Sequence, residues 1–437
     1  MARRAVVFAG IFLALASCAV AQDQWLAVTG GTVIDGAGAV LRDATVLVRG
    51  NRIEHVGPAA GVRIPEGARR VDARGKFVVP GFVDLHFHFD PDTSPWLPLL
   101  FLANGVTTQR EMGNWIEADQ HWLAATKQRG EPVPRLLFTG PLLDGPHPAY
   151  PGGSITLLDE MDARREVNRL ADKGATSVKV YFRLPLSLSK AVIDEAHKRG
   201  LLAHAHLELV DARDMIPLGL DGLEHTTSLG RSLLPPAESE KFRQDVWRDN
   251  ALRGPGRYRV WARINPAGPE ADSLIQLMLA HKVNLDATLA VFEPRRGEPG
   301  NDERWRALRN QAAFTVRYFR AGGSVTIGSH GEVPNALSGF AFQREMEAHA
   351  EAGMSPADVL QAATRVGAAA LRLNDRGVLA PGKLADLVVL DADPLVNISN
   401  ASRVHTVVLD GKVLDRAALL ATRPAALPSR TGEPPPR

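Results

Sequence analysis

Val79-Pro80-Gly81-Phe82-Val83-Asp84-Leu85-His86-Phe87-His88 decides how the rest of this 437-residue chain is read. On an extended strand, residues two apart face the same way. His86 and His88 therefore point together, while Leu85, Phe87 and Phe89 face an apolar layer on the other side. Two imidazoles so placed can grip one divalent ion, and nitrogen donors suit zinc or a similar borderline metal. The same spacing also serves two polar residues that merely fill an interior, so the neighbouring segments must decide between the two.

Strand-like segments recur at 106–112, 135–139, 177–182, 201–207, 222–226, 284–289 and 324–329, with helical patterns such as 159–173 and 189–199 between them. With 82–88 these make eight strand–helix repeats over about 300 residues, which predicts an α/β fold: a (β/α)8 TIM barrel over 81–377. Short β-rich pieces lie on both sides of it. Strands are expected at 26–34, 44–49 and 52–56, with a tight turn at Gly50-Asn51. Others are expected at 385–390 and 404–409, followed by the hairpin signal Asp410-Gly411. Neither set can bury a core alone, so 22–80 and 378–420 are expected to pair into one small β-sandwich. Segment 231–268, rich in Pro, Arg and Gly, reads as an irregular inserted loop or lid over the barrel mouth.

The composition is that of an ordinary globular protein, with 45% hydrophobic and 23% charged residues. Lys plus Arg is 51 and Asp plus Glu is 49, a net charge of +2 that gives no support for a nucleic-acid partner. One Cys excludes a disulfide scaffold. Arg3 and Arg4 precede an apolar run that ends in Ala19-Val20-Ala21, the layout of an export signal with a cleavage site. Residues 1–21 are therefore expected to direct the protein to the bacterial periplasm or cell envelope. Leu15-Ala16-Ser17-Cys18 also resembles a lipobox, and lipidation of Cys18 is the one route to a membrane that the sequence offers. Both surplus positive charges lie in this leader. Residues 421–437 are expected to be a disordered tail.

More polar residues fall on inward positions of the predicted strands. In Ser177-Val178-Lys179-Val180-Tyr181, alternation sets Ser177, Lys179 and Tyr181 opposite the two valines. A lysine inside a barrel is costly without a partner. Its amine either reaches water at the strand end or serves a site. His204 and His206 share a face of the next strand, and His225 ends the one after it. One strand–helix repeat separates Lys179 from His204 and another separates His204 from His225, so all three can meet at the C-terminal mouth. His147, on the loop after the third strand, is a weaker candidate for touching substrate.

The opening stretch resembles the first metal-binding motif of the amidohydrolase superfamily, metal-dependent hydrolases built on a (β/α)8 barrel. Gly30-Gly31-Thr32-Val33-Ile34-Asp35-Gly36 resembles that superfamily's N-terminal strand. Pro381-Gly382-Lys383-Leu384-Ala385-Asp386-Leu387-Val388-Val389-Leu390-Asp391 resembles its C-terminal return strand. The texture is nearest to the imidazolonepropionase-like branch, which includes Xaa-Pro dipeptidase-like members. The resemblance implies one or two divalent ions, expected to be zinc. It gives His86 and His88 to one ion, His204 and His225 to the other, and a bridging carbamate (a CO2 adduct) to Lys179. His206 is then a group behind the ligands, a substrate contact or a satisfied polar residue, and Tyr181, facing the same mouth, is expected to touch the substrate and support a developing oxyanion.

The family pattern ends the eighth strand in an Asp, and this chain has His330 there, in Gly328-Ser329-His330-Gly331-Glu332. An imidazole can bind a metal or act as a base, but not both through one nitrogen. His330 is then the base or a ligand, or Glu332 replaces the Asp, or the metal site is reduced. The expected function is that of an exported metal-dependent amidohydrolase that uses a metal-activated water to cleave an amide or peptide C–N bond. Its partner is a small-molecule or peptide substrate, and homo-oligomerisation is open. Ester or lactone hydrolysis, deamination, and a metal-containing binding protein without turnover are the alternatives.

Overall fold

Each of the eight strand-like segments of the central region forms a parallel strand in the computed structural model, which describes residues 24–424. They are β1 (Phe82–Phe87), β2 (Val106–Glu111), β3 (Arg135–Phe138), β4 (Ser177–Val180), β5 (Leu202–Ala205), β6 (Gly222–Glu224), β7 (Asn284–Asp286) and β8 (Val325–Thr326). β1 to β3 form one ladder and β4 to β8 another. Two sets of backbone contacts join the ladders into a closed barrel. Phe138 bridges Ala175 in parallel and accepts from Thr176 N at 2.8 Å, and Leu85 N donates to Ile327 O at 3.1 Å. Closure removes the open sheet edges.

The register shows why these residues suit a barrel. Val180, Ala205 and Leu223 lie side by side on adjacent strands and are buried against the helices. Lys179, His204 and Gly222 lie side by side on the opposite, inward face. The paired strands are shorter than the sequence pattern predicts. Tyr181, His206, His225 and Ser329 lie just past the ladders, where the chain turns at the mouth. Two further strands, Leu142–Asp144 and Ser154–Thr156, extend the second ladder beside β4. They are too short to leave an alternation in the sequence.

Strands from the two chain ends pair into one hydrogen-bonded network of eight. Its seam is the antiparallel pairing of Phe77–Pro80 with Leu387–Leu390, Val79 against Val388. Leu26, Val28, Val46, Ile53, Leu387 and Val389 belong to the apolar cluster beneath it. Neither end could form this cluster alone.

Segment 231–268 departs from expectation. It is not an irregular loop but holds two helices, Pro236–Arg248 and Arg253–Arg263. Packing overrides the helix-breaking composition. Pro236 and Pro255 fall in first turns, where no helical N–H is lost. Trp261 is fully buried, donates to Thr227 O at 2.8 Å and meets Phe314 edge-on at 6.1 Å.

Ala421, the first residue of the expected tail, is still helical. Asp415 caps the helix Arg416–Ala421 by accepting from Ala418 N, and Leu419 is buried. The leader 1–21, with Cys18, and most of the expected tail lie outside the described residues. No helix among the described residues is long and apolar enough to cross a membrane.

Candidate active site

Three imidazoles at the mouth are oriented in the same manner. In each, Nδ1 faces a neighbour's oxygen, which leaves Nε2 for the centre. His86 Nδ1 lies 2.5 Å from Glu224 Oε2, His225 Nδ1 lies 2.5 Å from Thr288 Oγ1, and His88 Nδ1 lies 3.3 Å from Glu111 Oε1. Glu111 is itself fixed by the N–H groups of Gly113 and Asn114, at 3.0 and 2.8 Å. His86 Nε2 and His88 Nε2 approach to 3.0 Å. Such partners on the far nitrogen set the tautomer and ring direction of a metal-binding histidine.

His330 completes the group. Its ring stacks on His86 at 5.1 Å with 9° between the planes, and its backbone N–H donates to His86 O at 2.6 Å. His86, His225 and His330 each offer a ring nitrogen within 4.8 Å of the others. His225 and His330 both stand at positive φ, 64° and 63°. That conformation is strained for a non-glycine residue. Here it swings both side chains off the strand ends toward the axis.

Lys179 Nζ lies 3.4 Å from His86 Nε2 and donates to Met112 O at 3.2 Å. Burial lowers its pKa to about 8. Burial, reinforced by neighbouring cationic groups, also holds His86, His225 and His330 well below the usual imidazole range. The rings are therefore neutral with their lone pairs available, as metal ligation requires.

One sequence expectation is corrected by the geometry. The structure brings His206, not His204, to His225, with ring centroids 4.7 Å apart. His204 lies one inward layer deeper, with Nε2 2.7 Å from Arg110 Nη1 and Nδ1 2.7 Å from Glu224 Oε1. Gly222 makes the room, since a Cβ there would lie 2.4 Å from His204 Nδ1. His206 is buried; its Nδ1 has no hydrogen-bond partner, and its Nε2 comes only to 3.6 Å from Glu208 Oε2. A buried imidazole held so loosely is costly unless something binds it. That ring and the converging Nε2 atoms fit a divalent ion.

The remaining candidates fall outside this group. Tyr181 is buried with its ring 4.9 Å from that of His206, and burial raises the phenol so that it keeps its proton. Glu332 accepts from Ser338 Oγ at 2.8 Å and joins neither cluster of prospective ligands. His147 is exposed on the loop after Leu142–Asp144.

Sequence reading missed the layer under the histidines. Arg110 is fully buried, donates to Leu85 O at 2.7 Å and pairs with Glu224 Oε1 at 3.0 Å. Asp286 lies beside Glu224, and burial together with that neighbouring charge pushes its carboxyl well up. Asp84 accepts from Ser329 N at 2.9 Å and from Ser329 Oγ at 2.5 Å, tying β1 to the end of β8. His86, Glu224 and Asp286 form a second cluster of potential donors. It lies on the Nδ1 side of His86, where Arg110 already neutralises Glu224. The inward parity of Arg110, Glu224 and Asp286 was the available signal.

Gly328 is required for this packing. A Cβ there would lie 2.6 Å from His86 Cβ and 2.4 Å from Asp286 Oδ1. Gly328→Ala is expected to destabilise the protein by about 1–3 kcal/mol through overpacking, measured by urea unfolding. A wild-type midpoint would refute that.

A sequence model described as "Amidohydrolase family" matches residues 77–414. A 5-methylthioadenosine/S-adenosylhomocysteine deaminase from Pelotomaculum thermopropionicum (strain DSM 13744 / JCM 10971 / SI) is 24% identical, covering 89% of this chain and 92% of its own. The solved structure of molinate hydrolase superposes with a TM-score of 0.71 at 20% identity, covering 94% of this chain and 99% of the other. A Xaa-Pro dipeptidase solved with bound methionine gives 0.70 at 17% identity, covering 90% and 100%. These structural likenesses establish the barrel fold.

Proposed function

Because the chain belongs to the amidohydrolase family and is a hydrolase acting on C–N bonds, we propose that it is an exported amidase or peptidase with a zinc-dependent site at the barrel mouth. The observation that carries this reading is the convergence of His86, His88 and Lys179, with the far nitrogen of each imidazole facing a carboxylate.

His86, His88 and His225 would hold the ion or ion pair, with His206 in the position first expected for His204. Lys179 would join them as a carbamate. Its amine must be neutral to attack CO2, and burial brings it to about 8, within reach of neutral pH. A divalent ion bound there supplies Lewis acidity, which lowers the pKa of water and polarises a carbonyl.

The rest of the work belongs to side chains. His330 is uncharged and abuts His86 and His88. It takes the proton of the attacking water and returns it to the leaving nitrogen. Tyr181 keeps its proton and can donate to the oxyanion. Glu111 and Glu224 hold the His88 and His86 rings against rotation. Deamination is the second reading, favoured by the near full-length likeness to a deaminase.

The test is a hydrolysis screen on zinc- and manganese-loaded protein, using dipeptides, N-acyl amino acids, esters, lactones and adenosine derivatives. Release of amine from the first two sets supports the proposal. Turnover confined to esters, lactones or adenosines refutes it. His88→Ala is expected to lower bound metal per chain, measured by elemental analysis, and unchanged content would remove His88 from the ligand set. Export is tested by fractionation, with periplasmic protein starting at Gln22 or lipid-modified Cys18 as the two supporting outcomes.

A further inference from the structure

We propose that Glu345 is a positioning residue for the metal site: it holds Thr288 in a backbone conformation that aims the threonine hydroxyl at His225 and so fixes that ring. This rests on the reading of His225 as a metal ligand.

Thr288 follows β7 and is fully buried at φ 44°. A β-branched residue is a rare occupant of that region, because its side chain crowds the backbone there. Its surroundings have to maintain such a conformation. The result is a contact: Oγ1 lies 2.5 Å from His225 Nδ1. With Nδ1 donating to that hydroxyl, Nε2 keeps its lone pair for the centre. His86 and His88 face carboxylates at the same place, on longer side chains. A hydroxyl on Cβ has little reach, so the backbone that carries it sets its position.

Glu345 supplies the hold. It lies on the helix Ala341–Ala352, which follows β8, and it is fully buried. Leu289 N donates to its Oε1 at 2.8 Å, and Ala290 N donates to its Oε2 at 2.6 Å. These are the two residues directly after Thr288, so both carboxyl oxygens fasten the backbone that sets its conformation. Burial pushes this carboxyl up to about 8, and either protonation state presents an oxygen to each N–H. Within the helix, His349 Nδ1 donates to Glu345 O at 2.9 Å and lies 3.3 Å from Oε1.

The adjacent Arg344 takes the far end of the same turn. It forms a close ion pair with Glu293, and its Nε donates to Glu293 Oε2 at 3.1 Å. Between the two anchors, Phe292 meets His225 edge-on at 5.6 Å. One helix thus fixes both groups that the β7 loop lays against His225.

Zinc affinity of the full chain, measured by competition with a fluorescent chelator, tests this. Thr288→Val keeps the shape and loses the hydroxyl, and should weaken zinc binding by about 10–100-fold. Thr288→Ser keeps the hydroxyl and should stay within about threefold of wild type. Glu345→Gln can accept with only one of its two end atoms and should weaken binding by about 10-fold. Combining Thr288→Val with Glu345→Gln should add no more than about twofold to the loss from Thr288→Val, because the carboxyl acts through the hydroxyl. Cobalt-loaded protein gives a second readout: the visible band should shift in Thr288→Val and Glu345→Gln and keep its wild-type position in Thr288→Ser.

A Glu345→Gln protein with a lower urea midpoint but unchanged zinc affinity and cobalt spectrum would overturn the proposal, since the role is then structural alone. A double variant whose loss is the product of the single losses would overturn it as well. If Glu345→Gln does not fold, Glu345→Asp, too short to reach both N–H groups, is read in its place against the same expectations. His225→Ala separates this proposal from the reading beneath it. Unchanged zinc affinity there removes His225 from the ligand set and overturns both. Weaker zinc binding in His225→Ala with wild-type binding in Thr288→Val overturns the positioning role alone.

Discussion

Glu224→Ala is expected to destabilise the protein by about 3–5 kcal/mol, the cost of leaving a buried charge unpaired. Glu224 is the hub of the barrel interior. It faces His86 Nδ1 at 2.5 Å, Arg110 Nη2 at 3.0 Å and His204 Nδ1 at 2.7 Å, and all four residues are buried. Its removal leaves the Arg110 guanidinium with the Leu85 carbonyl, a neutral imidazole and, no nearer than 3.9 Å, the carboxyl of Asp286, which burial pushes well up. Glu224→Gln keeps an oxygen for His86 but loses the charge, so it should fall between. Arg110→Met together with Glu224→Gln should recover part of the loss, because the stranded charge is then gone. Urea unfolding measures all three. A Glu224→Ala protein within about 1 kcal/mol of wild type would mean that Arg110 finds another partner or water.

The same hub has a pH signature. Burial alone would push the Glu224 carboxyl up, but Arg110 and then His204 outweigh it and hold it well below the usual range. A carboxylate depressed on folding contributes stability that is complete above its unfolded pKa, about 4.3. That contribution is lost as the pH falls from there through the folded value. Wild type should therefore lose stability faster than Glu224→Gln below about pH 4, with no divergence between pH 6 and 8.

The second large effect concerns the end of β8. His330→Ala is expected to lower kcat/KM by about 10³-fold, in the range for a lost general base, while Glu332→Ala stays within about threefold. The geometry separates the two residues, which sequence parity alone could not. His330 stacks on His86, meets His88 edge-on at 4.8 Å and shares a ligand-sized cluster with His86 and His225. Glu332 accepts from Ser338 and is absent from both clusters. The amide substrate found in the screen supplies the assay, and bound metal is measured alongside. A His330→Ala protein that keeps its metal and loses its rate is the expected pattern. Loss of rate in Glu332→Ala alone would transfer the role to Glu332.

Periodicity made much of this protein legible. A period of two made His86 and His88 one unit and marked Lys179 as inward, because side chains alternate about a strand whatever surrounds it. Spacing by strand–helix repeats carried Lys179 and His225 to one mouth. Where local pattern and packing disagreed, packing won. The Gly- and Pro-rich stretch 231–268 became helical because Trp261 had a pocket to fill.

By itself, then, the sequence determined the barrel, the pairing of the two chain ends and the identity of most polar residues at the mouth. These follow from alternation and repeat length, which are local or one-dimensional. The tertiary structure alone decided that His206 rather than His204 lies beside His225 and that Glu224 and Arg110 balance each other beneath them. Those outcomes turn on which neighbouring strand offers room and which opposite charge is nearest. Gly222 clears space for His204 from a different strand, and Arg110 reaches Glu224 from the other ladder, a pairing that no spacing rule connects.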